Sequence, residues 1–359
     1  MNDVPPLLYP PPAAPAPPSP RRTGWIVYAV IVTFFLVLSI LANFAFFSVA
    51  LGNCAGNPDG FDGRRARFEE EFVQGDTDTH NKIAVVYLTG VISERLDGPG
   101  GEEGMVEEIK DQLDQAVDDK RVKAIILRIN SPGGEVVASD EIYRAVVAAR
   151  QQKPVVASMD TMGASGAYYA AMGASYVMAN DLTLTGSIGV ILQSFTFSGL
   201  MDKVGVRSYT FKSGQYKDLL NPTREPTAAE SNMVQNLIME VYDKFVGIVA
   251  KERTRAGTPM TVEELKTGLA DGRVLSGKQA KEAGFVDGLG YFDDAVDKAK
   301  ELAGIPKAKV IRYAEPFSLK NVFRLVGQND RAKIELELSP SSLMLETGKL
   351  YFLPADMFQ

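Results

Sequence analysis

Histidine and cysteine are nearly absent from this chain of 359 residues, which carries one of each, His80 and Cys54. One cysteine excludes intrachain disulfides and any cysteine-based zinc cluster. One histidine means that a serine nucleophile would draw its base from another residue type. His80 closes a polar stretch just ahead of an apolar run and reads as a strand cap, and Cys54 reads as a free thiol. Surplus positive charge is missing as well. Lys and Arg number 38 against 45 Asp and Glu, a net −7, which argues against nucleic acid as a partner. No tandem repeat runs along the chain.

Charge of either sign is missing from Trp25 to Leu51, a run of Ile, Val, Phe, Leu and Ala. A bilayer needs about 20 apolar residues, and this run exceeds the 7–15 of a signal-peptide core. It therefore predicts an uncleaved membrane anchor. Arg21 and Arg22 precede it and the next basic residue is Arg64, so the N-terminus is expected in the cytoplasm and the remainder outside it. The Pro- and Ala-rich head at 1–24 predicts an extended tail. The Gly-, Asp- and Arg-rich stretch at 52–80 predicts a linker, with a catalytic domain over 81–304 and an extension over 305–359.

Within 81–304 the pattern alternates. The apolar runs at 83–88, 124–129, 155–158 and 176–179 read as strands. Val106, Ile109, Leu113, Ala116 and Val117 recur at helical spacing, and a second helix is expected over about 138–150. This alternation implies crossover units and a mostly parallel sheet, an α/β fold. Thr227-Ala-Ala-Glu230 and Thr261-Val-Glu-Glu264 are capping boxes opening two further helices. The first carries Met233, Leu237, Val241, Phe245, Ile248 and Val249 on one face, a stripe for core or subunit contact.

The chemistry centres on Ser165, in Met162-Gly-Ala-Ser165-Gly-Ala-Tyr-Tyr directly after a strand. A tight small-residue turn into a helix lifts a hydroxyl clear of the sheet and leaves N–H groups free beside it. Asn130-Ser-Pro-Gly-Gly134 also stands between a strand and a helix. Its glycines allow close backbone approach to a bound group. Gly133 or Gly134 would supply one oxyanion donor and Gly166 the other. A lysine could serve as base only when neutral, and burial is what lowers its pKa. Lys217 and Lys212 both lie in Lys212-Ser-Gly-Gln-Tyr-Lys217-Asp. Ser187, in the apolar Leu184-Thr-Gly-Ser187-Ile-Gly, could orient such a lysine without adding charge.

Taken together with Asp271-Gly-Arg-Val, these segments resemble bacterial signal peptide peptidase A, the short single-copy form, within the Clp-protease/crotonase superfamily. The resemblance covers 81–304 and implies repeated ββα units. It implies Ser165 as nucleophile, Lys217 rather than Lys212 as general base, and Ser187 as the residue touching the lysine. It further implies no metal and no cofactor, and a homo-oligomer, an octameric dome in which neighbouring chains pair serine with lysine. The implied substrates are signal-peptide remnants and other short apolar peptides. Three other readings stand beside it: a membrane protease that cleaves stomatin-like proteins, an acyl-CoA enzyme of the crotonase type, and a catalytically silent membrane scaffold.

Overall fold

The computed structural model describes residues 23–54, 68–94, 104–314 and 350–353. It divides into two compact units, Met1–Arg64 and Arg65–Gln359. The expected Pro-rich tail at 1–22, residues 55–67 of the expected linker and most of the expected extension lie outside the described residues.

The first unit holds helix α1, Thr23–Cys54. Its segment Trp25–Phe44 has a mean hydropathy of 2.6 and is long and apolar enough to cross a membrane. The few polar side chains fold back onto the helix: the Thr33 hydroxyl donates to the Ala29 carbonyl at 2.8 Å and the Asn43 amide to that of Ser39 at 2.7 Å. Such bonds satisfy polar groups without water.

The second unit is built on a mostly parallel sheet. Strands β2 (Lys82–Ile92), β3 (Val122–Glu135), β4 (Val155–Ala164) and β5 (Tyr176–Ala179) lie side by side and parallel. Their near-continuous apolar sequences are those of strands buried on both faces. The period of two is plain in the packing. Ala84, Val86, Leu88, Ile125, Leu127 and Ile129 face the helices α2 (Met105–Asp118) and α3 (Val136–Arg150). Ile83, Val85, Ala124, Ile126 and Val156 face α9 (Phe292–Ala303) on the other side. Each expected strand and helix of 81–304 is present, and the capping boxes at Thr227 and Thr261 open α6 (Ala228–Arg255) and α7 (Val262–Thr267).

Two expectations need correction. The presumed linker contains β1 (Glu69–Gly75), which pairs antiparallel with β9 (Lys309–Ala314), itself beyond residue 304 and parallel to β2. The folded unit therefore exceeds 81–304 at both ends. The acidic run Glu69-Glu-Glu71 resembles linker composition, yet charges of this kind are what protect an exposed sheet edge; Arg312 bonds Glu71 there at 2.7 Å. Next, the expected turn at 130–134 continues β3 rather than ending it. The stripe expected on α6 for core or subunit contact is core in its second half, where Phe245, Val246 and Val249 are buried, whereas Leu237 is half exposed.

Candidate active site

Ser165 stands at the junction of β4 with the short helix α4 (Gly166–Ala171). Its backbone is held at φ 52°, ψ −116°, a region that costs a non-glycine residue strain. Two hydrogen bonds impose it. The Ser165 N–H donates to the Gly186 carbonyl at 2.8 Å, and the Ser165 carbonyl accepts from the Tyr169 N–H at 2.8 Å. The side chain is fully buried, and its Oγ has no hydrogen-bond partner among the described residues. A buried polar atom left so costs about 1–3 kcal/mol, and that cost is tolerated chiefly where chemistry requires it.

The three glycines singled out in the sequence converge on this serine. Gly133 has φ +103°, and a Cβ there would collide with the Phe352 carbonyl and stand 2.6 Å from the Gly166 nitrogen. A Cβ on Gly166 would lie 3.1 Å from the Gly134 nitrogen and 2.5 Å from the Ser139 hydroxyl. The two glycines of the 130–134 motif are not equivalent. The Gly133 N–H already donates to the Ser131 Oγ at 3.1 Å, so Ser131, fully buried and not singled out from the sequence, occupies one of the expected donors.

The chain's own strand β10 (Tyr351–Phe352) runs through the cleft in front of these groups. It pairs antiparallel with the end of β3, Tyr351 opposite Glu135 and Phe352 opposite Gly134. On its other side Tyr351 exchanges two backbone bonds with Ile191, at 3.0 and 3.1 Å. The Val136 N–H donates to the Leu350 carbonyl at 3.3 Å. Hydrogen-bonded pairs recur every second residue in an antiparallel ladder, so Gly134 and Phe352 form the next one. The Gly134 N–H is thereby turned toward the Phe352 carbonyl, close to the Gly166 nitrogen. Sequence reasoning missed this segment, because a four-residue run after a polar tail carries no periodicity.

Ser187 also has a positive φ, 49°, and is buried. It follows Gly186, the residue that receives the Ser165 N–H, and its own N–H donates to the Arg273 carbonyl at 2.8 Å. The Asp271-Gly-Arg-Val segment thus anchors the Ser187 turn: β7 (Val274–Ser276) pairs with β6 (Leu184–Gly186).

Lys217 is not brought to this cluster. It lies exposed on a turn over 215–220, and its side chain has no partner among the described residues. The structure does separate the two lysines. Lys212 is tied to Asp218 at 2.6 Å and to the Gln215 carbonyl at 3.0 Å. Hydrogen bonds from Arg224 and Lys212 hold the Asp218 carboxyl well below the usual carboxylate range. The same stretch of chain exposes large apolar side chains, among them Phe195, Leu200, Val206, Tyr209 and Phe211, the last almost wholly free.

This arrangement, a buried and unpartnered serine hydroxyl on a turn whose neighbouring Gly134 and Gly166 nitrogens lie close together, with a peptide strand across the end of β3, is what peptide-bond chemistry needs. Comparison with known proteins agrees. The model of peptidase family S49 matches residues 148–306, which include Ser165, Ser187 and Lys217. A protein of Synechocystis assigned as a protease is 42% identical over 234 residues, 65% of this chain and 79% of its own. The chain belongs to peptidase family S49.

Two further S49-type relatives are similar. Protease 4 of Salmonella typhi is 40% identical over 259 residues, 72% of this chain and 40% of its own. A protein of Enterococcus faecium assigned as a signal peptide peptidase SppA is 39% identical over 203 residues, 56% of this chain and 57% of its own. The chain therefore spans little more than half of the latter and less than half of the former. These similarities place the chain with the S49 family members of the signal peptide peptidase A and Protease 4 type.

Proposed function

We propose that this S49 peptidase is a serine endopeptidase with a Ser165–Lys217 dyad, tethered to the membrane by α1 and acting on apolar peptides such as signal-peptide remnants. The observation that carries the reading is the Ser165 hydroxyl: buried, unpartnered, on a strained turn beside Gly134 and Gly166. Ser165 Oγ attacks the carbonyl carbon while its proton passes to the Lys217 amine. The oxyanion accepts from the Gly134 and Gly166 N–H groups, each worth roughly 3–4 kcal/mol to the transition state. The carbonyl re-forms, the peptide C–N bond breaks and the lysine returns the proton to the leaving amine. Water, deprotonated by the same amine, then releases the acyl group from Ser165.

Lys217 has to reach Ser165 from another copy of the chain, with Ser187 to orient it. Its exposure, and the exposed apolar side chains of the 195–211 segment, support an assembly in which that stretch is covered by a neighbour. The resemblance noted above gives the octameric dome as the form of that assembly. The uncharged helix α1, with Arg21 and Arg22 before it, supports a single-pass anchor, a cytoplasmic N-terminus and a catalytic unit on the opposite side. The name of the Enterococcus relative supports the substrate class.

The test is labelling with a fluorophosphonate probe together with hydrolysis of an apolar fluorogenic peptide. Wild-type protein should label and turn over, and Ser165→Ala and Lys217→Ala should each lose about 10⁴-fold or more in kcat, the double variant little further. Labelling that survives Ser165→Ala would sink the nucleophile, and a folded wild type that neither labels nor cleaves would point to the silent scaffold.

A further inference from the structure

Among the described residues, only Ser165, Ser187 and Leu220 hold a positive φ without being glycine. Two of these meet across a single peptide unit, the one that joins Gly186 to Ser187. Its carbonyl accepts from the Ser165 N–H at 2.8 Å, and its N–H donates to the Arg273 carbonyl at 2.8 Å. The C=O and N–H of a trans peptide point in opposite directions, so one planar group spans from the serine turn to Arg273. Rotating that plane would break both bonds and release the turns at 165 and 187 together. Strained backbone of this kind persists only where its surroundings over-determine it.

The Arg273 side supplies that constraint. Among the described residues β7 pairs only with β6, and their ladder runs as far as Gly186 opposite Val274. Arg273 lies one residue beyond it, so its carbonyl is aimed by the turn that precedes the strand. In that turn Asp271 gathers three donors from Arg273: the backbone N–H at 3.2 Å, Nε at 2.8 Å and Nη2 at 2.6 Å. A guanidinium held by both carboxylate oxygens fixes angles as well as distance. Gly272 between them sits at φ +90°, with nothing but its chain neighbours within 4 Å of where a Cβ would stand. The start of the turn is pinned too, because Tyr242 of α6 donates its hydroxyl to the Ala270 carbonyl at 2.6 Å. The Arg273 and Asp271 side chains are 52% and 45% exposed, and such a pair contributes little to stability. What its closure over two residues does set is direction.

We infer that Arg273, clasped by Asp271, is a positioning residue: it holds the Gly186–Ser187 peptide plane in the orientation that keeps Ser165 on its strained turn. The same plane sets Ser187. The kinetic consequence rests on the peptidase reading, whereas the structural one does not. Losing the clasp lets the plane relax and shifts the Ser165 hydroxyl relative to the Gly134 and Gly166 N–H groups. A misplacement of about 1 Å can cost on the order of 10²-fold in rate, so a loss of about 10–100-fold in kcat is expected. KM should change less than about twofold, the mark of a residue that serves the transition state rather than substrate binding.

The experiment compares Asp271→Ala, Arg273→Ala, their double variant, Arg273→Lys and Gly272→Ala, each as the full chain in detergent. Hydrolysis of an apolar fluorogenic peptide is read beside a thermal melt and amide hydrogen exchange at Ser165 and Ser187 by mass spectrometry. Asp271→Ala and Arg273→Ala should each lower kcat as stated and speed exchange of both amides by about tenfold or more. They should melt within about 3 °C of wild type. The double variant should lose little more than either single, as two halves of one contact do. Arg273→Lys returns a charged donor to Asp271 and should recover part of kcat. Gly272→Ala strains the turn without a clash and should resemble the other Ala variants. Unchanged kcat, or unchanged exchange at the two amides, in both single Ala variants would overturn the inference and leave the peptidase intact. So would single effects that multiply in the double variant, or a loss of kcat that comes with a lower melt and faster exchange throughout the sheet. A wild type that cleaves nothing sinks the peptidase reading; faster exchange confined to the two amides would still uphold the clasp on the peptide plane.

Discussion

Gly133 is the residue where local geometry is least forgiving. At φ +103° an L side chain is strained, and its Cβ would strike the Phe352 carbonyl and crowd the Gly166 nitrogen. Gly133→Ala should therefore lower kcat/KM by about 10²–10³-fold, in line with the loss of one oxyanion donor, by displacing Gly134 and Gly166 from each other. Steady-state kinetics beside a thermal melt would check it; activity near wild type would mean that these N–H groups do not frame the oxyanion. Ser131 carries a related expectation. Ser131→Ala frees the Gly133 N–H in a fully buried place, costing about 1–3 kcal/mol of stability, which a denaturant titration would measure. Lys212 and Lys217 look alike in sequence, yet only Lys212 is paired, so Lys212→Ala should keep most turnover where Lys217→Ala loses it.

At the scale of elements, α6 is the member with two characters. Its first half is mostly exposed, and its second half is held by Glu252, which is 1% exposed and accepts from Tyr143, Arg150 and Arg255 at 2.7–2.8 Å. Burial alone would raise this carboxyl, but the bonds from Arg150, Arg255 and Tyr143 outweigh it and bring it from 4.5 down to about 2. A carboxyl lowered in the folded state contributes stability above its ordinary pKa and loses it as the pH falls through the folded one. Glu252 should thus stabilise fully above about pH 5 and progressively less toward pH 2. Glu252→Gln should cost about 3 kcal/mol at neutral pH, because it strands two guanidinium groups. The difference between wild type and variant should shrink on acidification, and chemical denaturation at several pH values would show a constant gap if Glu252 were not the cause.

At the scale of the whole molecule, one chain holds the serine, the glycines and a peptide groove, but leaves Lys217 in solvent. If neighbouring chains complete the site, inactive Ser165→Ala and inactive Lys217→Ala subunits should regain activity when coassembled. Some interfaces would then meet an intact serine and an intact lysine. Coexpression with two affinity tags, tandem purification and a peptidase assay give the answer, and verified mixed oligomers that stay inactive would place both residues in one chain. Removal of residues 1–54 should release the protein from membranes in a flotation assay; retention would reveal a second attachment, for which the exposed apolar 195–211 segment is available.

Sequence alone determined the features whose cause is local. An uncharged run of this length is legible as an apolar helix because hydropathy needs no tertiary partner. The strands at 83–88 and 124–129 and the capping boxes at Thr227 and Thr261 are legible because their periods and hydrogen bonds span a few residues. Ser165 was legible because a small-residue turn between strand and helix is itself a short-range pattern. What only the tertiary structure decided is long-range. The pairing of β1 with β9 joins segments more than 200 residues apart in an edge ladder whose exposed charges mimic a linker. The engagement of Gly133 by Ser131, the seat of Phe352 between Tyr169 and Phe245, and the bonding of Lys212 rather than Lys217 depend on which groups meet in space. A residue's chemistry is written in its type, but its availability is set by its neighbours, and those are supplied by the fold.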